Sequence, residues 1–275
     1  MAIEAFAPAK INLTLHVTGQ RADGYHLLDS LVMFADVGDT VGLVEGQGLS
    51  LRVTGPAAEG VPTGPENSIL KAAGFAGQTD LAFSLNKVLP SAAGIGGGTS
   101  DAAAALRAIS ALRGVSLPPD TLPLGADVPV CMLGTAARMR GVGGQVTPVQ
   151  GLPRLHAVLV NPRISVPTPS VFKALTDKNN PPMLKTLPAL KTATDFAAWL
   201  SEQRNDLQAP AIAAAPVIAD VLGVLRAQTG RLLTRMSGSG ATCFALFETE
   251  EAARVAALKI QRSHPQWWVA PCQLS

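Results

Sequence analysis

Residues 89–106 read Leu89-Pro90-Ser91-Ala92-Ala93-Gly94-Ile95-Gly96-Gly97-Gly98-Thr99-Ser100-Asp101-Ala102-Ala103-Ala104-Ala105-Leu106. Gly94, Gly96, Gly97 and Gly98 lack Cβ atoms, so the backbone can take dihedrals closed to other residues and bring its N–H groups close to an anion. Directly after them Ala102, Ala105, Leu106, Ile109 and Leu112 recur at three- and four-residue intervals. That spacing predicts a helix beginning near Thr99 or Ser100, with its positive end on the loop. A flexible glycine linker is the alternative, but linkers do not ordinarily run into a helix with one apolar face. The stretch reads as a cradle for a polyphosphate. It is neither of the two commonest ones: a P-loop needs Lys after its last glycine, where Thr99 stands here, and the dinucleotide fingerprint counted from Gly94 needs a glycine at the position of Thr99.

Outward from the loop, the chain divides into recognisable segments. Ile11, Leu13, Leu15 and Val17 alternate with Lys10, Asn12, Thr14 and His16, the pattern of a half-buried strand over 10–17. Asp23-Gly24 supplies a turn into an apolar stretch over 27–37, followed by strands near 40–45 and 49–53. Pro65-Glu66-Asn67-Ser68 is a helix start, and 81–89 alternates again up to the glycine loop. After the loop helix, a proline-rich stretch leads to Leu124-Gly125-Ala126-Asp127-Val128-Pro129, which places Asp127 at a constrained turn. Residues 136–149 are strand-like, 156–160 is a buried strand, and 176–194 reads as an exposed connection. A helix follows Pro216, a strand covers 242–247, and a last helix runs from about Glu250 to Arg262.

With 275 residues the chain can hold one or two domains; two are expected, 1–152 and 153–275, with the break near Gly151-Leu152-Pro153. The 22 Lys+Arg against 20 Asp+Glu leave a formal charge of +2, so no global field draws nucleic acid or an anionic membrane. Cys131, Cys243 and Cys272 form no Cys-x-x-Cys pair and have no His at ligand spacing, which fits buried thiols in a reducing compartment and names no metal ligand. Glu4, Pro8 and Lys10 interrupt the first 17 residues, so no export signal is expected, and every apolar run stops well short of the roughly 18 residues of a spanning helix. These features predict a cytoplasmic protein.

Four places could carry chemistry. Lys10 and Asn12 share the polar face of the first strand, where Lys10 is either a site residue or an ordinary solvated lysine. Asp127 is either a site carboxylate or a turn and cap residue. Tyr25, the only tyrosine, and His26 follow the Asp-Gly turn and offer a ring to stack a base and an edge to read it, although a lone histidine is more often structural. Ser237-Gly238-Ser239-Gly240 is either a plain turn or a second backbone anion nest.

Pro8-Ala9-Lys10-Ile11-Asn12-Leu13, residues 90–103, Leu124-Gly125-Ala126-Asp127-Val128-Pro129 and Met236-Ser237-Gly238-Ser239-Gly240-Ala241 together resemble the GHMP kinases of small molecules. Arg21-Ala22-Asp23-Gly24-Tyr25-His26 and Ser165-Val166-Pro167-Thr168-Pro169-Ser170-Val171-Phe172 are similar to the branch whose substrate is a cytidine-diphosphate-linked methylerythritol. The resemblance covers nearly the whole chain in order. It implies an α+β two-domain fold: an N-terminal domain with a left-handed β-α-β unit, of the ribosomal protein S5 domain 2-like type, and a C-terminal ferredoxin-like α/β sandwich. ATP and substrate would lie in the cleft between them.

The activity implied is ATP-dependent phosphorylation of the 2-hydroxyl of the methylerythritol in non-mevalonate isoprenoid precursor synthesis, with Mg²⁺, in a monomer or weak homodimer. Carried over by position, Asp127 is the catalytic carboxylate and Lys10 its partner. The ATP side comprises Asn67, Lys87, Pro90, Gly94, Ile95, Gly96, Gly97, Gly98, Thr99 and Ser100, with the Ser100 hydroxyl expected to assist Mg²⁺ or the β/γ phosphates. The substrate side comprises Asn12, Tyr25, His26, Val142, Thr168 and Phe172, with Tyr25 and Phe172 sandwiching the cytosine. Three positions depart from the family pattern: Asp101, expected to point away from the phosphates, Gly144 in place of an acidic residue, and Cys131 in place of a larger apolar one.

Overall fold

The computed structural model describes residues 2–275. The chain partitions into two compact units. One comprises residues up to Lys10 together with Val37–Ser91 and Gly96–Gly134; the other comprises Ile11–Asp36, Ala92–Ile95 and Thr135–Ser275. The break expected near 152 falls inside the second unit. No single cut separates the units, because strands β1 (Ile3–Asn12) and β3 (His26–Glu45) each contribute residues to both.

In the first unit, β4 (Ser50–Thr54) pairs in parallel with β5 (Leu81–Asn86), and helix α1 (Ser68–Phe75) is the crossover between them. A parallel pair demands such a crossover, so β4-α1-β5 is the β-α-β unit. β5 also pairs antiparallel with the second half of β3, Thr40 opposite Asn86 through Glu45 opposite Leu81. Helix α2 (Gly97–Arg113) lays Ala102, Ala105, Leu106 and Ile109 into the core with Ile69, Ala73, Phe83 and Leu85, and α3 (Val128–Leu133) adds Val128. The alanines along α2 have no side-chain bulk to hold its backbone away from its neighbours.

The second unit pairs β2 (His16–Gln20) and β6 (Ala137–Gly141) with the first half of β3, and β6 with β7 (Gln145–Pro148). Then β8 (Leu155–Asn161), β9 (Arg231–Met236), β10 (Cys243–Phe247) and β11 (Trp268–Leu274) form an antiparallel sheet in the order β11-β8-β10-β9. With α7 (Val217–Arg226) after β8 and α8 (Glu250–Ser263) before β11, this is the ferredoxin-like order. Ile218, Val221, Leu222 and Leu225 of α7 and Ala253, Ala256, Ala257 and Ile260 of α8 share the core of β8 and β10. Three shorter helices, α4 (Thr168–Ala174), α5 (Ala193–Ser201) and α6 (Gln208–Ala214), lie between β8 and α7.

Several expectations change. The strand over 10–17 is two strands, since Leu13 and Thr14 both donate their N–H to the Leu31 carbonyl and break the ladder after Asn12. Its polar face is buried as fully as the apolar one: Lys10, Asn12, Thr14 and His16 are all at most 3% exposed. The segments 27–37 and 40–45 are one strand, passing through Gly38, where a Cβ would run into the Ala7 carbonyl oxygen. Helix α2 starts at Gly97, two residues before Thr99, with Gly96 as its N-cap at φ +67°. The connection over 176–194 is irregular but not wholly exposed. Met183 is buried there, and its carbonyl accepts from Arg138, whose guanidinium is paired with Asp29.

Candidate active site

Asp127 occupies the N-cap position of α3, yet its side chain makes no capping hydrogen bond. The carboxylate instead takes the Lys10 ammonium, Nζ to Oδ2 2.7 Å, with the lysine side chain 4% exposed and the aspartate 31%. A buried lysine needs such a partner, and the partial exposure of Asp127 leaves one side of the pair open to a ligand. The pair stands beside the start of α2: a Cβ built on Gly96 would lie 3.3 Å from Lys10 Cβ. Lys10, Asp127 and the N-terminus of α2 therefore form one constellation within the first unit. A helix N-terminus leaves its first N–H groups without intrahelical acceptors, and its dipole favours an anion.

Behind this start, three charged groups are buried together. Lys87 Nζ donates to Asp39 Oδ2 at 2.5 Å and to Asp101 Oδ2 at 2.7 Å. Asp39 Oδ1 also accepts the N–H groups of Val88 and Leu89, at 2.6 and 2.8 Å, at the entry to the glycine-rich loop. Asp101 Oδ2 accepts from Lys87, and among the described residues its Oδ1 is buried without a hydrogen-bond donor. Burial, with the Asp39 carboxyl pushing the same way against Lys87, lifts the Asp101 carboxyl to about 7. Burial alone would lower the Lys87 ammonium, but the Asp101 and Asp39 carboxylates more than offset this and raise it.

Asp101 thus points toward Lys87, and the Lys87 ammonium donates to two protein carboxylates. Asn67 caps α1, its Oδ1 accepting the Ile69 N–H at 2.9 Å. The Ser100 hydroxyl donates to the Pro8 carbonyl at 2.8 Å, and Thr99 Oγ1 donates to Gly96 O at 2.8 Å. Gly97 lies against Lys87, its Cβ position 3.3 Å from Nζ; Gly98 is exposed and Pro90 half-buried. Cys131 is completely buried in α3, with its thiol 3.9 Å from Thr99 Oγ1.

In the second unit, the two glycine-bearing turns pack backbone to backbone. Ser237 Oγ donates to Gly94 O at 3.1 Å and accepts the Asn12 N–H at 3.0 Å, while Thr242 N–H donates to Ala93 O at 3.1 Å. Gly94, at φ +71°, has no room for a Cβ, which would lie 2.6 Å from Ser237 O. Ile95 is fully buried. Asn12 Nδ2 donates to Ser30 Oγ at 2.8 Å, and Asn12 Oδ1 is buried with no partner.

His26 stacks on Phe172, ring centroids 4.7 Å apart and 25° from parallel, and its Nε2 is a buried atom without a hydrogen bond. Burial, helped by the Lys178 ammonium, holds the imidazole below its ordinary value of 6.5, so the ring is neutral at pH 7. Tyr25 is 65% exposed, and the ring stacked on Phe172 is that of His26. Thr168 Oγ1 lies 2.8 Å from Ser239 Oγ. Val142 is half-buried in the turn between β6 and β7.

Sequence reasoning missed Asp39, Thr14 and Ser30. Thr14 carried a signal, since it continues the face of Lys10 and Asn12. Asp39 and Ser30 lie within one long strand and are identifiable only through partners far away in sequence. Among the described residues no cluster of three or more His, Cys, Asp or Glu is arranged to hold a metal ion, and no helix is long and apolar enough to cross a membrane.

The family model described as GHMP kinases N terminal domain matches residues 67–135, and that described as GHMP kinases C terminal matches 186–266. A 4-diphosphocytidyl-2-C-methyl-D-erythritol kinase of Dinoroseobacter shibae is 61% identical over 272 residues, covering 99% of this chain and 95% of the relative. A crystal structure of a 4-(cytidine 5'-diphospho)-2C-methyl-D-erythritol kinase superposes with TM-score 0.80 at 35% identity, over 99% of each chain. A homoserine kinase of Cytophaga hutchinsonii, TM-score 0.65 at 18% identity over 100% of this chain and 94% of its own, shares the fold. By sequence over nearly its full length and by architecture, this chain belongs to the GHMP kinases, within the family of the 4-diphosphocytidyl-2-C-methyl-D-erythritol kinases.

Proposed function

We infer that the protein uses ATP to phosphorylate the 2-hydroxyl of 4-diphosphocytidyl-2-C-methyl-D-erythritol, a step of non-mevalonate isoprenoid precursor synthesis. The observation that carries this reading is Asp127, a carboxylate at a cap position that leaves the helix uncapped and pairs with Lys10 beside the start of α2. In phosphoryl transfer the protein mainly positions groups and offsets charge. Asp127 Oδ2 is held by Lys10, and Oδ1 takes the proton of the attacking hydroxyl late in the transfer. Lys10 orients that carboxylate and opposes the negative charge of the transferring group.

The residues present fit a polyphosphate, since a left-handed glycine N-cap against Lys10 and the free amides at the start of α2 suit its oxygens. ATP supplies the phosphoryl group, and Gly96, Gly97, Gly98 and Thr99 would hold its phosphates. Mg²⁺ of this class of site is coordinated largely by phosphate oxygens and water with few protein ligands, which asks for no metal cage in this chain. Ser100, whose hydroxyl is given to Pro8, contributes its place in the first turn.

On the substrate side, the neutral His26 offers Nε2 to the edge of the cytosine, the exposed Tyr25 offers a stacking face, and Thr168, Val142 and Phe172 border the base. A site that hydrogen-bonds a base can reject an analogue lacking the partner by roughly 10⁴. The near-neutral formal charge and the three free cysteines support a cytoplasmic enzyme that takes no nucleic acid, and the same reading has it act as a monomer or weak homodimer.

Asp127→Asn should lower kcat by roughly 10² to 10⁴ while leaving ATP affinity nearly intact. Steady-state ADP release with the cytidylated alcohol, alongside calorimetric ATP binding, measures both. Full turnover by the variant overturns the assignment.

A further inference from the structure

A short chain of hydrogen bonds inside the second unit has a direction that its atoms dictate. The Thr14 carbonyl can only accept, and Ser30 Oγ lies 2.5 Å from it, so the single hydroxyl proton of Ser30 is committed there. Ser30 Oγ then has only lone pairs to offer Asn12, 2.8 Å away, and must accept from the amide nitrogen. The amide of an asparagine can be placed either way round unless its network decides; here the network decides. A flipped Asn12 would set Oδ1 against an oxygen with no proton to give. Thr14 is itself held, its hydroxyl donating toward Met183 Sδ at 3.2 Å and accepting the Leu31 N–H at 2.9 Å.

The consequence is that the orientation of the amide is fixed, with the acceptor Oδ1 of Asn12 turned away from Ser30. That oxygen is buried and unpaired in a side chain 3% exposed overall, and no side chain is available at Gly238, whose Cβ position lies 3.4 Å from it, to cover it. An unpaired buried acceptor is costly, which marks it as awaiting a donor. Asn12 is two residues beyond Lys10 in β1, on the same face of the strand. The group it reads therefore belongs to the polyol end of the substrate, where the donors are hydroxyls.

We propose that Ser30 is a positioning residue that locks the Asn12 amide with its Oδ1 acceptor turned outward, selecting a substrate hydroxyl that donates to Asn12 Oδ1. This rests on the substrate reading above, and wild-type turnover of the cytidylated alcohol is the control that separates the two. Without the Ser30 hydroxyl the amide is free to turn, and a contact kept through ground and transition states is weakened. Ser30→Ala should raise KM for the alcohol about tenfold, with kcat within a factor of about three and KM for ATP unchanged. Ser30→Thr, which restores a hydroxyl, should recover most of the loss.

Two further measurements extend the test, and the second needs no Ser30 variant if Ser30→Ala folds poorly. In an Asn12→Ala background, Ser30→Ala should cause no additional rise in KM. With the wild type, either the 1-deoxy or the 3-deoxy analogue of the alcohol should show a KM about tenfold above that of the natural substrate. The proposal is overturned if the wild type turns over the substrate and either Ser30→Ala leaves KM unchanged, the rise persists without Asn12, or both deoxy analogues bind as well as the natural alcohol.

Discussion

Asp127 and Asp101 are two carboxylates whose neighbours assign them opposite tasks. Asp127 keeps 31% of its side chain exposed and shares Lys10 with no other acid, so it can meet a ligand. Asp101 shares Lys87 with Asp39 in the interior, and because Asp39 also accepts two backbone N–H groups, Asp101 is the member of the pair that takes a proton. Its folded carboxyl titrates at about 7, against 3.8 ordinarily, so the folded chain binds a proton that the unfolded chain has released. Stability contributed at this residue therefore falls as pH rises from about 4 to about 7 and levels off above. Asp101→Asn cannot lose that proton. Thermal unfolding at pH 5 and pH 7.5 should show the wild type losing at least about 5 °C more than the variant, and parallel curves would contradict the assignment. The sequence raises the expectation that an acid after the glycines turns from a phosphate, because like charges repel. Its partner Lys87 is not legible there, since 14 residues and an intervening loop separate them.

The glycine-rich segment is built as two functional pieces. Gly96–Thr99 open α2, whereas Ala92–Ile95 belong to the other unit and pack on the turn at 237–241. Gly94→Ala would combine a left-handed φ with a Cβ 2.6 Å from Ser237 O and 2.7 Å from both Gly240 N and Gly240 O, all backbone atoms that cannot rotate away. Gly77→Ala carries a similar φ of +67° with nothing within 4 Å. Urea unfolding should find Gly77→Ala destabilised by about 1 kcal/mol and Gly94→Ala by about 2–4 kcal/mol. Equal losses would mean that the close approach of the two turns is unimportant. Periodicity showed that a helix follows the glycines and which face it buries. It placed the start at Thr99 or Ser100, because apolar repeats begin only where side chains begin, while the first turn is made of glycines that have none.

At the scale of the whole molecule, Arg235 on β9 is a cation buried outside the candidate site, 7% exposed, donating to the carbonyls of Leu13, Leu200 and Gln203 at 2.7–2.8 Å. Burial lowers its guanidinium to about 10, still charged at neutral pH. Arg235→Met would leave three carbonyls without their donor and should cost about 2–4 kcal/mol in chemical unfolding. Arg235→Lys should rescue little, since one ammonium cannot replace the planar fork; recovery by Lys would show that charge alone matters. Such contacts tie segments from 32 to 222 residues apart, and none leaves a trace in local pattern. By itself the sequence determined the local backbone and its chemistry: where strands alternate, where glycine permits a turn and an approach to phosphate, and which few polar side chains could react. Tertiary structure alone decided that β1 and β3 serve both units, that the polar face of the first strand is interior, and that Lys87 meets Asp39 and Asp101. The physical reason is that propensity and periodicity act over a few residues, whereas burial and charge pairing depend on which distant segments the folded chain brings within a few ångströms.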